Sequence, residues 1–187
     1  MKITNKNIIK DNVNPLIREK SVEVKLPLSD EDKELLMGLL TYVQNSTDPE
    51  LAEKDDLSPA VGIAAIQVGV KKKLLAVVLR DENDDIVYQY ALANAKIISY
   101  SVEPAYLPGG EGCLSVAGVH KGYVCRHRRI KVRAYDLLQD KEVVIKASDY
   151  LAIVLQHEID HFNGVLFYDH IDAKNPFHVE ENAHCID

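Results

Sequence analysis

The sequence predicts an α+β fold in which mainly antiparallel sheets pack around a central helix that carries an HExxH motif. Three observations predict it. Strand-like runs between Lys73 and Lys146 follow one another with no helix between them. A single late stretch, Ser148 to Phe162, then has apolar Leu151, Ile153, Val154, Leu155 and Ile159 around most of its circumference, as a largely buried helix requires. Near the start, Ser29 to Asn45 places Leu35, Leu36, Leu39, Leu40 and Val43 at helical spacing.

In chain order, Ser29 or Asp30 can cap the first helix, and Ser46-Thr47-Asp48-Pro49 ends it. Glu50 to Pro59 reads as a polar, exposed connection. Lys73 to Arg80 is a continuous run rich in Val and Leu and reads as a buried strand. Asp81 to Asp85 is a turn, and Ile86 to Ser101 holds one or two further strands. Pro108 to Gly112 is a loop with three glycines in five residues. Tyr123 to Asp136 alternates, with Ile130, Val132 and Ala134 on one face, and Glu142 to Lys146 is its hairpin partner. Ser148 reads as the N-cap of the central helix and Asp149 as a first-turn anion, and Gly164 reads as the C-terminal cap.

Residues 1–187 are the length of one domain, and 47% apolar with 27% charged residues is a globular balance. A net charge of −7 argues against DNA or other sequence-independent nucleic-acid partners. The basic run Arg126 to Lys131 reads as solvated charges on one strand face. No apolar run approaches the roughly 20 residues of a membrane span, and the N-terminal residues lack a secretory apolar segment, so a cytoplasmic location is expected. Three cysteines argue against a disulfide framework, leaving core, tail or ligand roles, and His184-Cys185 reads as tail. A monomer is the default.

The chemistry lies in His157-Glu158-Ile159-Asp160-His161. Positions i and i+4 share a helix face, so both imidazoles can reach one divalent ion, and Glu158 can serve as base to a metal-bound water. A catalytic site usually has a third protein ligand and one open position. In one protease pattern the third ligand is a histidine six residues on, but Phe167 stands there. A downstream glutamate, Glu180 or Glu181, would make the chain an endopeptidase. Upstream, Cys113 follows the glycine loop, and a thiolate is a strong ligand for zinc or iron(II).

Glu111-Gly112-Cys113-Leu114-Ser115 together with the HExxH string resembles two of the three signature motifs of peptide deformylases, and Ala60-Val61-Gly62-Ile63-Ala64-Ala65-Ile66-Gln67 resembles the third. All three stand in family order, and the resemblance, closest to the type 2 class, covers nearly the whole chain. It implies Cys113, His157 and His161 as metal ligands, Glu158 as general base and acid, and Gln67 with the Leu114 N–H as oxyanion donors. It further implies Gly62, Val61, Gly112 and Ile153 as substrate-binding residues. The implied reaction is removal of the formyl group from formyl-methionyl ends of nascent polypeptides, with iron(II) as native ion and zinc, nickel or cobalt as alternatives. Ribosome docking is compatible with that reaction but has no signal in the sequence. Departures from the family are Ala60 for a glycine, Ile66 for a common proline, and Ala117-Gly118 for an acidic and basic pair. An inactive metal-binding paralogue is the remaining alternative.

Overall fold

The structure is a computed structural model that describes residues 2–186. The helices and strands in order are α1 (Asp30–Ser46), α2 (Pro49–Asp55), β1 (Gly62–Ala64), β2 (Leu74–Arg80), β3 (Ile86–Tyr100), β4 (Pro104–Tyr106), β5 (Arg126–His127), β6 (Arg129–Asp136), β7 (Lys141–Ser148), α3 (Asp149–His161) and β8 (His184–Cys185). An antiparallel five-stranded sheet runs β1-β2-β3-β6-β7. A small sheet runs β5-β4-β8, its β4–β8 pair parallel. The fold is α+β, as the order of elements predicts.

The large sheet is covered on both faces. Leu75, Val77 and Leu79 of β2 share a core with Leu151, Leu155 and Ile159 of α3. The alternate residues Leu74, Ala76 and Val78 pack with Leu36, Leu39, Leu40 and Val43 of α1. Burial on two faces is why β2 reads as an unbroken apolar run instead of an alternating one. In β6 one face carries Ile130, Val132 and Ala134, all buried, and the other is exposed, which gives the alternation.

Ser29 caps α1 as predicted, its hydroxyl accepting from the Asp32 N–H at 3.1 Å. Four expectations need correction. Residues 50–59 are not simply a connection: Asp48 accepts from the N–H groups of Glu50 and Leu51, and Pro49 sits at the first helical position, so α2 starts immediately. The stretch from Tyr123 to Asp136 is not one strand; it divides into β5 and β6, which serve different sheets. Ser148 and Asp149 hold the N-cap and first-turn positions expected of them, but the Ser148 side chain makes no capping bond, and Asp149, at φ 54°, also accepts from Arg128 Nε at 2.8 Å. His184 and Cys185, read as tail, form β8, because β4 offers them a free edge. Ile86 to Tyr100 is a single strand that stays continuous past an irregularity at Asn94, whose side chain bonds the Val24 backbone at both ends. The C-cap of α3 is Phe162, not Gly164 as expected; Gly164 lies two residues further on in the following turn, at φ +70°, where a Cβ would lie 2.0 Å from the Arg18 carbonyl oxygen, so only glycine fits.

Candidate metal centre

Helix α3 presents His157, Glu158 and His161 from the core toward the glycine-rich loop at 108–112. The ligand atoms of Cys113, His157 and His161 all lie within 4.8 Å of one another. Cys113 Sγ stands 3.5 Å from His161 Nε2. Bonds of about 2.3 Å to sulfur and about 2.05 Å to nitrogen at tetrahedral angles would separate those atoms by roughly 3.5 Å, so the donor set fits a metal ion. Neither Glu180 nor Glu181 joins this group. Phe167 stacks parallel to the His157 ring, with centroids 6.2 Å apart.

The surroundings favour a cation. His157 Nδ1 meets Glu111 Oε2 at 2.7 Å, which leaves Nε2 for the cluster. Burial alone would lower the His157 pKa, but its hydrogen bonds to Cys113 and Glu111 outweigh burial and raise it to about 10. His161 is driven the other way, well below the usual histidine range, by burial and by the neighbouring His157 charge, which keeps it in the neutral form that coordinates. Glu158 is 4% exposed, and burial pushes its carboxyl up to about 7 against the pull of His157 and Arg126. Its Oε2 is buried with no partner among the described residues, so a hydrogen-bonding group is missing from its environment.

Sequence reasoning missed the support beneath His157. Glu111 is held by a two-bonded contact with Arg126, one of whose bonds measures 3.0 Å; Arg126 also donates to Asp160 at 2.9 Å, and His170 meets Asp160 at 2.7 Å. Arg126 is therefore not a solvated strand charge; it is 6% exposed and paired on both sides. Burial would raise the Glu111 pKa, yet hydrogen bonds from His157 and Arg126 take it down to about 2. The signal available in the sequence was Glu111 beside Cys113 and Asp160 inside the HExxH string, both unassigned there.

Gln67 lies in a 3-10 turn after β1 and is 2% exposed. Its Oε1 accepts the Ala64 N–H at 2.8 Å, which turns its Nε2 onto Cys113 Sγ at 3.5 Å. Leu114 packs its side chain against the α1 core. A cavity of about 550 Å³ is lined by Gln67, Cys113, Leu114, His157 and Glu158 together with Val61, Gly62, Gly112 and Ile153. Lys10, Leu107 and Tyr150 also line it and were not anticipated. His161 lies behind this wall and is fully buried, at 1% exposure. Ala60 lines the cavity as well, and the Ala117 N–H donates to Asp11 at 2.9 Å.

A cysteine sulfur and two imidazoles around one point, beside a buried carboxylate and an open cleft, are a donor layout that could hold a hydrolytic metal ion. The pattern of the family described as Polypeptide deformylase matches residues 6–177. The sequence is 48% identical over 185 residues to Peptide deformylase 2 of Bacillus subtilis strain 168, covering 99% of each chain. It is 49% identical over 181 residues to Peptide deformylase 2 of Geobacillus stearothermophilus, covering 97% of each. The fold superposes with a TM-score of 0.71 on the crystal structure of peptide deformylase from Ehrlichia chaffeensis in complex with actinonin, at 30% identity, covering 93% of this chain and 91% of that one. The chain belongs to the polypeptide deformylase family, and its site holds a candidate three-ligand metal centre.

Proposed function

We propose that residues 1–187 form one catalytic domain that hydrolyses the N-formyl group of formyl-methionyl ends on nascent polypeptides, releasing formate and a free amine. The observation that carries this reading is the meeting of Cys113 Sγ with His161 Nε2 at 3.5 Å while the Gln67 amide points at the same sulfur. A divalent ion held by Cys113, His157 and His161 would supply Lewis-acid polarisation of the formyl group and activation of water. The mixed thiolate and imidazole set suits iron(II), zinc, cobalt or nickel, and family membership supports iron(II) as the native ion.

The residues divide the remaining work. Glu158, held by burial at a pKa of about 7, accepts the proton of the attacking water and returns it to the leaving nitrogen as the C–N bond breaks. The Gln67 Nε2 and the Leu114 N–H donate to the oxygen that gains charge on the formyl carbon; Leu114 N–H has no other partner among the described residues, and Gln67 is oriented in advance by Ala64. Gly112, with open space where a Cβ would stand, lets the peptide backbone approach closely, and Gly62 lines the same cleft. Val61 and Ile153 provide apolar wall for the methionine side chain. Strand β1 is an edge of its sheet, so an extended peptide can pair along it.

No helix among the described residues is long and apolar enough to cross a membrane. A cytoplasmic monomer that meets its substrates as they leave the ribosome is the setting this reaction calls for. The endopeptidase reading is not favoured, because Glu180 and Glu181 lie outside the donor group. The test is formate release from formyl-Met-Ala-Ser by anaerobically prepared protein of assayed metal content. Turnover supports the reading, and metal-loaded protein that releases no formate would leave an inactive paralogue.

A further inference from the structure

Residues 9–11 reach both halves of the cleft. The Ile9 N–H donates to the Gln67 carbonyl at 2.9 Å, and the Asp11 N–H donates to the Ser115 carbonyl at 2.8 Å. Asp11 Oδ1 accepts from the Ala117 N–H at 2.9 Å, and its Oδ2 accepts from the Tyr168 hydroxyl at 2.8 Å. Between them, Lys10 Nζ donates to the Leu114 carbonyl. Three consecutive residues are therefore tied to Gln67 and to the segment that follows Cys113, the two separate stretches that supply the proposed oxyanion donors. Nothing about residues 9–11 in the sequence marks them for this.

Lys10 differs from an ordinary surface lysine in two respects. Its ammonium lines the cleft together with Gln67, Leu114 and Glu158. It is also bound to a neutral carbonyl and forms no ion pair among the described residues. A carbonyl fixed by a cation restricts rotation about Leu114, the residue whose N–H must face the reacting oxygen. Lys10 is otherwise exposed, so its action on the site runs through this one carbonyl.

We propose that Lys10 is a positioning residue for the oxyanion donors, holding Leu114 in place through its carbonyl. This rests on the deformylase reading above. Because the oxyanion exists only in the transition state, the contribution belongs in kcat and not in KM.

The test compares Lys10→Met and Lys10→Arg with the parent protein, using formyl-Met-Ala-Ser and samples matched for metal content and thermal midpoint. Lys10→Met is expected to lower kcat about tenfold, less than the roughly 10²–10³ lost on removing an oxyanion donor outright. KM should change by less than about twofold, and Lys10→Arg should restore most of kcat. If Lys10→Met does not fold, Lys10→Gln is read in the same way. An unchanged kcat, a loss carried by KM, or an Arg variant as slow as the Met variant overturns the proposal. A parent protein that releases no formate instead overturns the deformylase reading, and that result is read without any variant.

Discussion

Gly62 and Glu158 are in contact at the floor of the cleft: a Cβ on Gly62 would stand 2.6 Å from Glu158 Oε1 and 2.9 Å from its Cδ. The Glu158 side chain is buried and has little room to retreat. Gly62→Ala is therefore expected to displace the carboxylate and to lower kcat by roughly a hundredfold, the low end of what a positioned acid–base group of the kind proposed for Glu158 contributes. Metal content should stay unchanged. Steady-state kinetics with a metal assay check this, and an Ala variant with full activity would refute it.

Glu111 serves two buried partners at once, His157 and Arg126. Glu111→Gln keeps the shape but weakens the acceptor for His157 and leaves Arg126 relying on Asp160. Metal affinity should fall roughly 10–100-fold, as it does when a ligand's outer partner is lost. The thermal midpoint should also drop, since removing one partner of a buried pair costs about 3–5 kcal/mol, here reduced by the Asp160 contact. Competition with a chelator and a melting curve read the two effects separately.

The third ligand can be identified by subtraction. Cys113→Ala should abolish tight metal binding, because two imidazoles alone leave the set incomplete, while Glu181→Ala should retain it. A Cys113→Ala protein that holds one equivalent of metal would place the third donor elsewhere.

Acid should destabilise the fold through a specific set of carboxylates. For each, burial pushes the pKa up and is outweighed: in Glu111 by His157 and Arg126, in Asp160 by His170 and Arg126, in Asp169 by Arg18 and the Leu166 N–H, and in Asp11 by the Ala117 N–H and Tyr168. All four are lowered in the folded chain, so their stabilisation is present above the unfolded values near 4 and is lost as pH falls through and below them. For Glu111 the window runs from 4.5 to about 2. Melting temperature should decline steeply below about pH 5, and Glu111→Gln should show a shallower acid limb. Parallel limbs in the two proteins would remove Glu111 from this account.

The sequence was most legible where one physical demand dominates. Helices α1 and α3, β2 and the β6–β7 hairpin follow from periodicity and burial. The Cys113, His157 and His161 set follows from ligand chemistry plus motif order. Legibility failed where a residue's role depends on a distant partner. Arg126 looks like surface charge until Glu111 and Asp160 close around it. Asp149 does sit in the first turn of α3, but nothing near it in the sequence announces its bond from Arg128. Lys10 has no local pattern at all, because its partner is a carbonyl 104 positions away. Helix α2 could have been read from Asp48-Pro49, since a breaker for one helix is also a good opening for the next.

Strand β8 has a mechanical implication for the far side of the molecule. It lies against β4, and β4 in turn pairs Ala105 with Arg126, the residue that grips Glu111. Residues 184–186 thus brace, through one intervening strand, the clamp on His157 of the candidate metal centre. Trimming or tagging within that stretch leaves β4 and β5 as a bare two-stranded ribbon of very short strands, marginal by itself. Changes to residues 184–186 can accordingly alter how well the protein holds an ion at the candidate centre, although they lie outside the donor group.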